Sequence, residues 1–137
     1  MSESIGTVSA NVLLIEPDGL VRGAVASVCR ELEIVRMHQA TSLVLGEQWL
    51  TTYAADGLLL SLAEGEVALE LLGRLRAGDF RSEPGIPVAV MAQTCDAALL
   101  IRLKELDVRR FILQPFKLRD VVHTVEQLWP VKASAPA

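Results

Sequence analysis

The feature that most constrains this chain is an alternation that repeats five times: a short apolar run, then a longer segment with apolar residues at helical spacing. Residues 11–16 (NVLLIE), 34–39, 56–62 (DGLLLSL), 88–92 and 110–113 are the runs. Each is of strand length, and those at 11–16, 56–62 and 88–92 are apolar enough to be buried on both sides, while 34–39 and 110–113 are strand candidates that carry polar residues. Between and after them lie helical patterns at 19–32, 41–52, 64–77, 95–106 and 117–128. Asp18 is placed to cap the first, Thr41 or Ser42 the second, and Gly78 to end the third, while Pro130 stops the last. Strands without a polar face need helices on both sides. The expected fold is therefore α/β, an open doubly wound parallel sheet in a single domain.

The chain has 137 residues, one ordinary domain's worth, and 51% of them are hydrophobic, which supports a packed core. The expected division is a flexible N-terminus at 1–10, one domain at 11–129 and a flexible tail at 130–137, rich in Ala, Pro and Ser. The N-terminus carries neither the basic nor the apolar stretch of a signal peptide. The longest apolar stretch, near residues 58–63, is far too short to span a bilayer. A formal charge of −4 without a Lys/Arg cluster argues against a nucleic-acid partner. Cys29 and Cys95 are far apart and are expected to be buried free thiols, as in a reducing cytoplasm. His38 and His123 have no metal spacing, and Trp49 and Trp129 are expected to pack.

Four local motifs narrow the fold further. VLLIEPDGLVR (12–22), DGLLLSL (56–62), IPVAVMA (86–92) and DVRRFILQPF (107–116) resemble, in order and spacing, the motifs of bacterial response-regulator receiver domains. They correspond to the first strand and its acidic loop, the third strand, the fourth strand, and the fifth strand with its K-P-F ending. The resemblance covers nearly the whole chain and implies a flavodoxin-like (βα)5 sheet with strand order 2-1-3-4-5.

A receiver phosphorylates itself on a carboxylate, with Mg²⁺ to offset the phosphoryl charge and a hydroxyl and an ammonium to hold the new group. Carried over position by position, the resemblance puts the metal-holding acid on Pro17, between Glu16 and Asp18. The acceptor falls on Ser61, the phosphate-contacting hydroxyl on Ala92 and the lysine on Gln114. The loop after the acceptor, AEGEV at 63–67, is one residue shorter than usual. The implied protein is a degenerate receiver: not an enzyme, without cofactor or metal, unable to form an acyl phosphate, and acting as a protein–protein interaction module. The plainer readings are that Glu16 and Asp18 are a solvated edge and a helix cap, that Ser61 makes a local hydrogen bond, and that Gln114 stands in structurally for the lysine before Pro115.

Two other functions are compatible with the chain. An atypical phosphorelay receiver would use Glu16, Asp18 or Glu64. A small-ligand domain of flavodoxin type would need a phosphate-binding loop after the first strand, where an acidic Glu-Pro-Asp-Gly stands instead. The expected working surface is the fourth helix, fifth strand and fifth helix, meeting a signalling protein or a second copy. The fourth helix has more apolar residues than one buried stripe can hold, so Leu100 and Lys104 should point outward beside Phe111 and Leu113.

Overall fold

A computed structural model describes residues 7–130 and 132–133. The elements are β1 (Thr7–Val8), β2 (Asn11–Ile15), α1 (Gly19–Glu31), β3 (Arg36–Ala40), α2 (Leu43–Thr52) and β4 (Gly57–Ser61). They continue with α3 (Glu66–Arg76), β5 (Val88–Ala92), α4 (Ala97–Glu105), β6 (Arg110–Leu113), α5 (Leu118–Leu128) and β7 (Lys132–Ala133). Five parallel strands form one sheet in the order β3-β2-β4-β5-β6. Numbered within that sheet, this is the expected flavodoxin-like order 2-1-3-4-5. Within the two ends expected to be flexible, β1 and β7 pair antiparallel as a separate two-stranded ribbon. Residues 1–6, 131 and 134–137 lie outside the described residues.

The pleat sorts the core into two halves. Leu13, Ile15, Leu58, Leu60, Val88 and Val90 face α2, α3 and α4, where Leu50, Leu72 and Leu103 meet them. Val12, Leu14, Leu59, Ala89, Met91 and Ile112 face α1 and α5, where Val25, Cys29, Val121 and Val125 close the other side. The three central strands have no exposed position at all. Each fully buried Leu, Ile or Val contributes on the order of 1.5–3 kcal/mol of transfer free energy.

Local chemistry sets the helix ends. Asp18 accepts from the Leu20 and Val21 amides, and Ser42 from Leu45, so the second helix is capped by Ser42 and not Thr41. Gly78 ends α3 with φ +86°, as its position implies. The second strand of the main sheet starts at Arg36, two residues later than the apolar run, because Ile34 and Val35 pack in the turn that leaves α1. Cys29 is buried, and desolvation pushes its thiol up to about 11. Cys95 corrects the expectation of two buried thiols: it is exposed, because it lies in the connection before the Asp96 cap of α4, where no sheet stands behind it.

At the amino ends of the strands, the Trp129 indole N–H donates to the Asp56 carbonyl (3.1 Å) and its ring covers Gly57 so closely that no Cβ fits there. His38 bonds Asn11 (3.1 Å) and stacks on Trp49. Arg76, at the end of α3, gathers four backbone carbonyls. Its Nε donates to Leu106 (2.8 Å), Nη1 to Pro84 (2.6 Å) and Ile86 (2.8 Å), and Nη2 to Asp107 (3.0 Å). It thus ties the loop before β5 to the turn between α4 and β6. Replacing Arg76 with Met keeps the stem but leaves these carbonyls without a donor, and should destabilise the fold by about 2–4 kcal/mol in urea melts. A change below about 0.5 kcal/mol, the size of an ordinary surface substitution, would show that the clamp is dispensable.

Candidate functional site

Parallel strands that all point one way present their carboxyl ends together, and ligands bind there in open α/β sheets. Glu16, Pro17 and Asp18 leave the end of β2, Ser61 ends β4, Ala92 ends β5, and Gln114 follows β6. The fold thus brings to one edge every position that the resemblance names. A cleft of about 690 Å³ is lined by Glu16, Pro17, Asp18, Val21, Ala63, Gln93, Gln114, Pro115 and Phe116. A second, of about 440 Å³, runs between the loop entering α3 and the start of α4, past Leu62, Glu66, Ala92, Thr94 and Leu99. Ala63, Gln93 and Gln114 line both.

Glu16 is not the solvated edge that the sequence allows: only 2% of it is exposed. It directly follows Ile15, a fully buried residue of the central strand, and its amide donates to the Ala40 carbonyl, so the sheet holds it inside. One carboxylate oxygen, Oε2, accepts the Asp18 amide (3.1 Å). The other, Oε1, is buried with no hydrogen-bond donor among the described residues. Desolvation pushes the Glu16 carboxyl above its ordinary pKa; the Asp18 amide and the neighbouring Ser61 hydroxyl offset part of this, and the Asp18 charge adds to it. Arg22, the nearest base in that balance, spends its Nη1 on the Glu16 backbone carbonyl (2.8 Å).

The other positions are equally occupied. Asp18 is a helix cap, its Oδ1 bonded to Leu20 (2.9 Å) and Val21 (3.3 Å). Ser61 is buried, and its Oγ accepts the Ala63 amide (3.1 Å), the local bond expected of a serine at a strand end. Glu64 caps α2 from a distance by accepting the Leu43 amide (2.9 Å). Gln114 is half-buried, its backbone amide bonded to the Ala92 carbonyl (2.8 Å), and a cis peptide joins it to Pro115. Sequence reasoning missed Gln93, which lines the cleft from a loop without a motif, and gave no site role to Phe116, the last residue of the motif at 107–116, which lines it too. It also missed Glu66–Arg102, an exposed ion pair in which Arg102 Nη1 donates to both Glu66 carboxylate oxygens (2.6 and 2.7 Å) and which joins α3 to α4 across 36 positions of chain.

Magnesium, which the resemblance implies, does not fit these residues. It wants near-octahedral oxygen ligands with carboxylate help. Glu16 Oε1 is sealed inside, Oε2 and Asp18 Oδ1 are bonded to backbone amides, and Pro17 and Ser61 add no carboxylate. No cluster of three metal-binding side chains occurs among the described residues.

On the flank, α4 buries only Leu103. Leu100 is 47% exposed, Ile101 58% and Leu113 54%, and Lys104 is exposed with them. Phe111 sits half-buried against the core on the α3–α4 side of the sheet. No helix among the described residues is long and apolar enough to cross a membrane.

No family model matches the chain, and no curated protein matches it. Solved structures do. A response regulator from Thermotoga maritima aligns with a TM-score of 0.75 at 23% identity, over 88% of this chain and 98% of its own. A chemotaxis protein of Vibrio cholerae gives 0.77 at 11% identity, over 88% and 99%. The receiver domain of a sensor histidine kinase from Pseudomonas aeruginosa, solved with magnesium coordinated in its active-site cleft, gives 0.72 at 11%, over 88% and 98%. The chain has the fold of response-regulator receiver domains.

The burial of Glu16 has a consequence for stability. A carboxyl whose folded pKa is raised contributes stability below its unfolded value and loses it as the pH rises through the folded one. Glu16→Gln has no such loss. Urea melts should therefore show the variant gaining on the parent protein as the pH is raised from acidic to neutral. A difference between the two that does not change with pH would mean that the carboxyl carries no such penalty.

Proposed function

We propose that this chain is a receiver-like signalling domain of two-component or phosphorelay type that cannot be phosphorylated and that acts as a protein–protein interaction module in the cytoplasm. The observation that carries the reading is the state of the strand-end edge: a buried serine stands at the end of β4 where the resemblance puts the acceptor, and no base is among the residues that line the neighbouring cleft. A serine side chain has no carboxylate, so no acyl phosphate forms there. An incoming dianionic phosphoryl group would meet Glu16 and Asp18, with neither metal nor lysine to offset its charge.

The atypical-receiver alternative is less well supported, because each acid it would use is engaged: Glu16 is buried, Asp18 caps α1 and Glu64 caps α2. A small anionic ligand is disfavoured by the acidic loop after β2. The acidic balance of the chain speaks against nucleic acid as a partner, and the free thiols Cys29 and Cys95 suit a reducing compartment. The proposed partner surface is α4–β6–α5: Leu100, Lys104 and Leu113 are exposed on these elements and Phe111 is half-buried, and a second copy or another signalling protein would cover the exposed apolar side chains. Receivers usually couple a phosphate-contacting hydroxyl to an aromatic on the last strand. Ala92 removes the first partner, so the surface is held in one state and not switched.

A repair series tests the chemistry. Intact mass after incubation with acetyl phosphate and Mg²⁺ should show no phosphoryl adduct on the parent protein and none on Ser61→Asp. Adding Pro17→Asp and Gln114→Lys should give labelling well above the single variant, because groups that act as a unit are non-additive. Efficient labelling of Ser61→Asp alone would show that the metal position matters less than the acceptor.

The surface is tested separately. Leu100→Glu combined with Phe111→Ala, checked for folding, should reduce self-association in light scattering or capture of the partner from the native host. If both are unchanged, the working surface lies elsewhere, and α1 is the next face to test.

A further inference from the structure

The main sheet ends at β3 on one side, and that edge has a chemistry of its own. Among the described residues β3 pairs with β2 alone. The Arg36 amide donates to the Ala10 carbonyl (2.8 Å), and the Ala40 carbonyl accepts the Glu16 amide (3.1 Å). Residues 36, 38 and 40 therefore turn their backbone groups to β2. Backbone groups alternate along a strand, so the N–H and C=O of Met37 and Gln39 face away from the sheet. Such an edge is a template for one more strand. Proline and a bulge, the common guards of an edge, are absent: the register with β2 is unbroken from Arg36 to Ala40.

The two sides of the edge differ. On the α1 side lies a cleft of about 370 Å³, with Ala26, Val35 and Met37 as its apolar lining and Arg30, Glu33 and Arg36 as its charged lining. Neither arginine is ion-paired among the described residues. Two bases against one acid make the cleft basic, in a chain whose net charge is −4. On the α2 side His38 stacks on Trp49, and Trp49 on Tyr53, which is 56% exposed.

We infer that the β3 edge takes up an extended segment of a partner protein as a sixth strand, one in which acidic residues alternate with apolar ones.

The period of a strand sets that pattern, because successive side chains of an added strand point to opposite faces. Those on the α1 side enter the basic cleft, where carboxylates meet Arg30 and Arg36. Those on the α2 side meet His38 and the aromatic rings, which cover apolar side chains. A second copy of this chain is the poorer occupant, since its own β3 would bring another Arg36 to an edge that is already basic. β3 and β6 are opposite edges of the sheet, so binding here and binding at α4–β6–α5 are read separately.

The test adds the blocked peptide acetyl-Glu-Val-Glu-Val-Glu-amide to the full-length ¹⁵N-labelled protein and follows amide shifts and hydrogen exchange. The same peptide with lysine in place of glutamate is the charge control. A version N-methylated at its inner three residues keeps the side chains and loses the backbone donors. The glutamate peptide should give saturable shifts at Arg30, Met37 and Gln39. Near saturation it should slow exchange about tenfold at Met37 and Gln39, and leave Arg36 and His38, which face β2, as they were. The two control peptides should do neither. Gln39→Pro removes an outward donor where an edge strand tolerates proline, and should abolish the protection at Met37. Arg30→Glu with Arg36→Glu should weaken the glutamate peptide about tenfold and favour the lysine peptide. This second variant decides the matter if Gln39→Pro does not fold. The proposal is overturned by an absence of saturable shifts, by equal binding of either control peptide, or by shifts at β6 in place of β3. It is overturned equally if the charge-reversed variant binds as the parent does. Protection of Met37 and Gln39 that grows with the concentration of the free protein would make a second copy the occupant, and would overturn it too.

Discussion

Everything in this molecule depends on a parallel sheet whose central strands are buried on both faces. Such strands can satisfy their backbone only through each other and their side chains only through helices on either side. Val12 to Ile15 illustrate the constraint: four successive residues are fully buried and alternate between the two half-cores. Once the faces are covered, the places left for ligands are the strand ends. At the amino ends, Trp129 lies over Gly57 and the Asn11 amide donates to Asp56. The carboxyl ends stay open as two connected clefts.

What fills those clefts decides the chemistry. A phosphoryl-transfer site at this edge needs negative ligands for a metal, a carboxylate to attack, and a positive group to hold the product. Here the acids have been drawn into the scaffold. Asp18 starts a helix, Glu64 caps another helix, and Glu16 sits beneath the surface with one oxygen bonded to the Asp18 amide. Ser61 is likewise turned to a backbone amide. The site is built for holding its own loops together, and its residual charge is negative and unbalanced. Fold similarity to receivers therefore describes the frame, while the function follows from the residues mounted on it.

The parts legible in the sequence were those set by local rules. Strand length and apolar content placed the fourth and fifth strands of the main sheet residue for residue, and capping chemistry placed Asp18 and Gly78. The strand order came from the resemblance, and the register of the sheet bears it out. The parts that were not legible are set by distant partners. Nothing near Arg76 in sequence announces carbonyls at Pro84, Ile86, Leu106 and Asp107. Glu16 reads as a loop acid because what holds it inside is distant in sequence: its amide bonds the Ala40 carbonyl of the neighbouring strand, and its carboxyl lies beside the Ser61 hydroxyl, forty-five positions away. Cys95 reads as buried by residue type, yet it precedes a helix that lays only one side chain fully into the core. That last feature also explains the exposed leucines and isoleucine of α4.

The central claim is that the strand-end cleft no longer recognises a phosphoryl group. Beryllofluoride with Mg²⁺ mimics that group without requiring turnover, so it tests recognition apart from the acceptor's reactivity. Amide shifts of the ¹⁵N-labelled protein, followed while beryllofluoride and magnesium are added, should stay unchanged at Ser61, Ala92 and Gln114. Saturable shifts at those three residues, spreading to α4 and β6, would contradict the account.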